Sequence, residues 1–129
     1  MSETTPRDAL VVGGGVAGLT AATFLARADL DALVVNDGEP IVRRNAHLEN
    51  VPGFPAGVNS RLFTDLLAEQ ADRNGADRLA GRVTDLDVLG DDGDPLFRAT
   101  VETDDGEKRV EASRVVAASW SDASYLEDT

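Results

Sequence analysis

The chain has 129 residues, no cysteine and a single histidine, His47. Disulfides, thiolate metal sites and a dithiol redox centre are therefore excluded for these residues, and one histidine leaves little for a zinc site or a Ser-His-Asp triad. Twenty-four acidic residues face twelve basic ones, for a formal charge of −12, and Lys108 is the only lysine.

Acids are spread through the presumed loops, and no basic stripe exists to neutralise phosphates, so nucleic acid is not an expected partner. The surface resembles that of a protein from a salt-loving organism; a merely acidic, soluble domain is the alternative. No stretch has the apolar length of a membrane span, and Met1-Ser-Glu-Thr-Thr-Pro6 lacks the basic and apolar regions of a signal peptide. A cytoplasmic protein without membrane contact is the expectation. The length suits one domain, and with few aromatics its core must be built from Leu, Val and Ala.

Residues 1–7 read as a flexible polar lead-in. Ala9 to Val12 then form an uninterrupted apolar run, so residues 8–12 read as a buried strand. Gly13, Gly15 and Gly18 follow as G-x-G-x-x-G, and an Ala-rich apolar segment reads as a helix over 16–28. Strand, glycine turn and helix together make a dinucleotide fingerprint, where the glycines alone would be weak. Gly13 permits the tight turn, Gly15 lets a pyrophosphate approach the backbone, and Gly18 lets helix and strand pack closely. The free N–H groups of the first helical turn then face the phosphates. An ordinary glycine turn in a βα unit is the competing reading. Leu19, Thr23 and Ala26 share the expected packed face, and Asp29 falls where a left-handed residue closes a helix.

Ala32 to Val35 give a second buried strand and so a right-handed βαβ unit. Asn36 ends it, about twenty residues past the glycines, where dinucleotide folds carry an acid for the ribose hydroxyls. Asn36 keeps a carbonyl acceptor without the charge, and Asp37 is a candidate substitute; Asn36-Asp37-Gly38 is equally a turn sequence. Residues 38–59 have no periodicity and contain Pro40, Pro52, Gly53, Pro55 and Gly57. Arg43 and Arg44 in this loop are candidates to meet a pyrophosphate or flavin carbonyl, or are simply solvated. His47 reads as a surface or packing residue.

Ser60 is the expected N-cap of a helix carrying Leu62, Phe63, Leu66, Leu67 and Gln70 at helical spacing and closed by Gly75. Arg78 to Ala80 suit a third parallel strand. Val83–Val88, Leu96–Val101 and Arg109–Ala112, separated by glycine-aspartate turns, predict an antiparallel meander over about 82–112. Val115 to Ala118 return to the parallel sheet, and residues 120–129 read as a polar tail. The expected class is α/β.

These pieces resemble the N-terminal part of the thioredoxin reductase family, flavoproteins of the pyridine nucleotide-disulfide oxidoreductase superfamily. Gly13-Gly-Gly-Val-Ala-Gly-Leu-Thr-Ala-Ala22 is similar to its FAD fingerprint, and Glu49-Asn-Val-Pro-Gly-Phe-Pro55 to a loop whose Asn lies near the flavin. Val101 to Gly106 and Val115 to Ser119 are similar to the meander turn and to the strand ending in Ala-Thr-Gly. The resemblance implies a Rossmann-like FAD/NAD(P)-binding domain over 8–119: a parallel sheet, flanking helices and a small meander. It implies that Gly13, Gly14, Gly15, Val16, Ala17 and Gly18 hold the FAD pyrophosphate and that Asn36 and Asp37 stand at the ribose. Arg44 and Asn50 would lie near the cofactor, Val83 would offer its main chain to the adenine, and Ala118 and Ser119 would close the last strand beside it.

The departures are specific. The ribose-binding Glu is Asn36, the Gly-Gly-Gln-Leu beside the flavin is Arg43-Arg-Asn-Ala46, and Ala-Thr-Gly is Ala118-Ser119-Trp120. The family continues into an NADPH-binding domain with Cys-x-x-Cys and a final strand that completes the FAD site. The implied function is an FAD-dependent oxidoreductase domain, with NAD(P)H as candidate electron donor and a second copy or partner chain as candidate to complete the site. No side chain is a candidate general acid, base, nucleophile or metal ligand, and reduction of thioredoxin by these residues alone is not expected. The alternatives are a non-catalytic dinucleotide-binding or regulatory module, or a fragment of a longer flavoenzyme.

Overall fold

The computed structural model describes residues 5–38, 40–44, 46–119 and 124–126. Four parallel strands form one sheet in the order β5-β2-β1-β9: β1 is Ala9–Val12, β2 Ala32–Asn36, β5 Asp77–Ala80 and β9 Val115–Ala117. Ala9 pairs with Ala32, Leu10 with both Leu33 and Val115, and Leu33 with Asp77. Helix α1 (Val16–Arg27) connects β1 to β2, and α2 (Ser60–Arg73) precedes β5. Between β2 and α2 the chain makes a 3-10 turn, Ile41–Arg44, and a minimal antiparallel pair, β3 (His47–Leu48) with β4 (Val58–Asn59). The meander is a separate sheet of β6 (Arg82–Val88), β7 (Phe97–Thr103) and β8 (Gly106–Ala112).

The continuous apolar character of β1 and β2 follows from cover on both faces. Leu10, Val12, Leu33 and Val35 meet Val83, Leu86, Ala99 and Val101 of the meander in one core. Val11 and Val34 point the other way, onto Leu19, Ala22, Ala26 and Ala71 of the two helices. The result is three layers, with the parallel sheet in the middle. No helix among the described residues is long and apolar enough to cross a membrane.

Helix α1 ends as its sequence dictates: Asp29 adopts φ 63° and Leu30 N–H returns to the Leu25 carbonyl. Its buried residues are Gly18, Leu19, Ala22, Thr23 and Ala26, and the Thr23 hydroxyl donates to the Leu19 carbonyl.

Two expectations about α2 need correction. The N-cap of α2 is Asn59, not Ser60: the Asn59 side-chain oxygen accepts from the Arg61 and Leu62 N–H groups, and Ser60 is fully buried. The buried face of α2 follows Ser60, Thr64, Leu67 and Ala71, whereas Leu62 and Leu66 are about half exposed, at 53% and 45%. Helical spacing held, but small residues won the inner row because α2 lies against the Ala-rich side of α1. Of the expected lead-in, residues 1–4 lie outside the described residues; at its end Arg7 exchanges main-chain hydrogen bonds with Glu111 and Ser113 and pairs with Asp31 and Asp77 at 2.8 and 2.6 Å. Of the expected tail, residues 120–123 and 127–129 lie outside the described residues; Ser124–Leu126 form a 3-10 turn, and Tyr125 is buried in the core that includes the meander.

Replacing Asn59 by Ala should remove about 1 kcal/mol of stability, the usual cost of a lost cap, measured by urea unfolding. An Asn59→Ala variant as stable as the native chain would overturn this assignment.

Candidate functional site

The chain order of the parallel sheet reverses at β1. Its right-hand neighbour β9 arrives last and its left-hand neighbour β2 follows directly through α1. In open α/β sheets the crevice beyond the carboxyl ends at such a point is the ligand site. A cavity of about 520 Å³ opens there, between the ends of β1 and β2, the start of α1 and the beginning of β6.

Main-chain ladders continue past the strand ends and fix the rim. Gly13 N–H donates to the Val35 carbonyl, Ala118 N–H to Val12, and Gly81 N–H to Asn36, at 2.8–2.9 Å. Each glycine of the fingerprint is then held by a different constraint. Gly13 has φ 112°, and a Cβ on it would stand 2.5 Å from the Ala118 carbonyl oxygen. A Cβ on Gly14 would stand 2.7 Å from the Asn36 side chain, so this glycine lets Asn36 lie across the turn. Gly15 faces open space, with only Pro40 in ordinary contact at 3.7 Å. A Cβ on Gly18 would overlap the Gly13 carbonyl oxygen.

Gly15 is the N-cap of α1, and among the described residues no side chain caps the first turn. The N–H groups that a helix start leaves unpaired therefore stand at the cavity with no side-chain acceptor among the described residues. Donors, a positive helix end and a glycine cradle together fit a pyrophosphate.

Of the residues singled out in the sequence, Gly13, Gly14, Gly15, Val16, Ala17, Asn36, Asp37, Arg44, Val83, Ala118 and Ser119 line this cavity. Gly18 does not; it lies beneath, against Gly13. Asn50 does not either; it is exposed on the loop between β3 and β4. The Asn36 side-chain N–H donates to the Gly38 carbonyl at 2.8 Å, so the turn reading of this segment holds and fixes the amide's orientation at the rim. Arg43 and Arg44 separate. Arg43 turns to α2, donating to Thr64 Oγ1 at 2.6 Å and Asp65 at 2.8 Å, while Arg44 lines the cavity. His47 has a partner: its Nε2 lies 3.1 Å from the Ala56 carbonyl across the β3–β4 loop.

The sequence reading missed Pro40, Val42, Gly81, Arg82 and Tyr125, which also line the cavity. The signal at Gly81 was a glycine between two strands; a Cβ there would meet Val101 and Glu102 at 2.8 Å. Tyr125 gave no signal, because the short Tyr125-Leu126 pair in a mostly polar segment shows no strand or helix period. It is 3% exposed, and its hydroxyl lies 2.7 Å from Ser119 Oγ.

Comparison with known proteins agrees with this geometry. Residues 8–48 match the family model described as FAD binding domain. The thioredoxin reductase of Mycolicibacterium smegmatis is 32% identical over 124 residues, covering 95% of this chain and 37% of that protein. The thioredoxin reductase of Streptomyces clavuligerus is 36% identical over 89 residues, covering 66% and 27%. Among solved structures, the atypical thioredoxin reductase TRi of Desulfovibrio vulgaris Hildenborough superposes with a TM-score of 0.71 at 31% identity, covering 90% of this chain and 38% of that one. The chain thus resembles the N-terminal part of thioredoxin reductases and spans roughly a quarter to just over a third of these relatives' length. The matches support FAD as the cofactor of this fold.

Gly18→Ala should cost about 1–3 kcal/mol, as overpacking against fixed backbone does. Gly15→Ala should cost less, about 0.5–1 kcal/mol of capping, and instead weaken binding of ADP. Urea unfolding and calorimetry separate the two, and a fully stable Gly18→Ala protein would refute the contact.

Proposed function

We propose that this domain holds the adenosine and pyrophosphate half of FAD in a flavoprotein oxidoreductase of the thioredoxin reductase type. The observation that carries the reading is the start of α1, whose first-turn N–H groups, without a side-chain cap, open onto the glycine-lined cavity. In this reading Gly13 to Gly18 hold the pyrophosphate through main-chain N–H groups and the helix dipole. Asn36 and Asp37 stand at the ribose, Val83 offers its main chain to the adenine, and Arg44, Ala118 and Ser119 border the rest of the cofactor. Asn50 reaches the flavin only if its loop turns toward the cavity. Bound flavin supplies the capacity to accept hydride or an electron pair, with NAD(P)H as the proposed donor. Residues 8–119 are the proposed dinucleotide-binding unit, and Tyr125 buttresses it from the C-terminal side. A second copy or partner chain beside the half-buried edge strand β9 is proposed to complete the site, in a cytoplasmic setting.

A second reading has its own support. Asn36 lacks the carboxylate of the usual ribose partner, and the chain has no cysteine. A dinucleotide-binding module without turnover is the function these two facts favour. Purified protein distinguishes the readings. A bound chromophore with flavin absorbance, bleached by NADPH or NADH, is the expected result for the oxidoreductase. A colourless protein that still binds ADP identifies the module. Binding of neither FAD nor ADP would overturn both.

The acidic surface leads to a further proposal, adaptation to high salt. Repulsion among exposed carboxylates is long-ranged in dilute buffer and confined to about 3 Å near 1 M salt. Raising KCl from about 0.1 to about 1 M should therefore raise the thermal unfolding midpoint, read by circular dichroism. A midpoint independent of salt removes this reading.

A further inference from the structure

The cavity wall carries a pair of hydroxyls that the glycine corner does not use. Ser119 follows β9, Tyr125 stands in the 3-10 turn Ser124–Leu126, and both line the cavity with their oxygens 2.7 Å apart. Two hydroxyls that share one hydrogen bond keep one O–H proton to give away. Neither hydroxyl has another partner among the described residues. Tyr125 is buried in the core with Val83 and Leu86, whereas Ser119 is only half-buried. The phenol is therefore the enclosed member of the pair, and the serine is the member that opens on the cavity.

Strand order fixes which part of a ligand passes Ser119. The fingerprint turn stands at the end of β1, with β2 on one side and β9 on the other. On the β2 side a Cβ at Gly14 would meet Asn36, the residue of the ribose end. On the β9 side a Cβ at Gly13 would stand 2.5 Å from the Ala118 carbonyl oxygen and 3.0 Å from the Ser119 main-chain N. Ser119 thus lies across the turn from Asn36, and the bond from Ala118 N–H to the Val12 carbonyl at 2.8 Å holds its main chain there. A dinucleotide spans such a crevice with one half on each side of the central strand. With adenosine on the β2 side, the half beyond the pyrophosphate lies on the β9 side, and in FAD that half begins with a polyhydroxylated chain. We propose that the Ser119 hydroxyl donates to an oxygen of this chain, and that Tyr125 is a positioning residue that donates to Ser119 and so turns the serine proton toward the cavity. The inference rests on the FAD reading above and deepens it, because it gives the flavin-bearing half a contact that the glycine corner does not provide.

Titration calorimetry of the full chain with FAD and with ADP, which lacks that half, tests the proposal. Ser119→Ala should bind FAD about fivefold more weakly, the worth of one neutral hydrogen bond, and ADP as the native chain does. Ser119→Thr keeps the hydroxyl and should keep FAD affinity. Tyr125→Phe keeps the buried ring and should lose about two- to threefold toward FAD alone. The double variant should be no weaker than Ser119→Ala, because both changes act on one contact. Circular dichroism verifies that each variant is folded. A Ser119→Ala chain with native FAD affinity would overturn the proposal, as would equal losses toward FAD and ADP, which would make the strand end a mere prop of the glycine turn. A Tyr125→Phe chain with native FAD affinity would remove the positioning role. Native protein that binds ADP but not FAD sinks this inference alone, whereas binding of neither sinks the dinucleotide reading with it.

Discussion

The structure depends on the closeness with which the first turn of α1 sits on the end of β1. Gly18 rests on the Gly13 carbonyl with no room for a methyl group between them. That contact sets the position of α1 over the sheet and thereby brings Leu19, Ala22 and Ala26 onto Val11 and Val34. It also aims the helix start at the crevice rather than past it. The same few atoms therefore seat a core helix and build an anion-binding corner. Stability and binding are inseparable here, because any side chain at position 18 lifts the helix away from both.

The other walls follow from strand order. Two successive apolar strands joined by a helix lie side by side, and β9 (Val115–Ala117), far later in the chain, returns to the free side of β1. The crevice opens where these directions part. The meander closes its underside, because Val83 and Tyr125 belong both to the core and to the cavity lining. Buried apolar area thus supports the site from below while unpaired main-chain groups face it from above.

Most of the fold was legible in the residue pattern, for a physical reason. β1 and β2 are covered on both faces, so their runs are uniformly apolar; β7 is wet on one side, so Phe97, Ala99 and Val101 alternate with polar residues, whereas a register shift between Val83 and Asp85 breaks the alternation of β6. Helix α2 misled because its inner row begins with Ser60 and Thr64. Their hydroxyls are satisfied inside the structure, as Thr64 is by the Ser60 carbonyl at 3.1 Å, so their burial does not require apolarity. Arg43 and Arg44 are neighbours of the same type, and no local pattern separates them. A 3-10 turn sends one toward Asp65 and the other toward the crevice. The glycine corner was legible because each glycine answers a steric demand of the backbone. The arginines, Asn50 and Tyr125 were not, because side chains on irregular segments take their place from distant contacts.

Electrostatics join these observations. A chain of charge −12 meets an anionic dinucleotide at a disadvantage over long distances, and salt erases that disadvantage. Inside the crevice the balance is local: helix-start N–H groups and two arginines against a single carboxylate. Attraction that acts through hydrogen-bond distances survives the ionic strength that screens the surface. An acidic exterior and an anion-binding corner are therefore compatible, provided that the corner relies on oriented amides and close contacts rather than on the field of the whole protein.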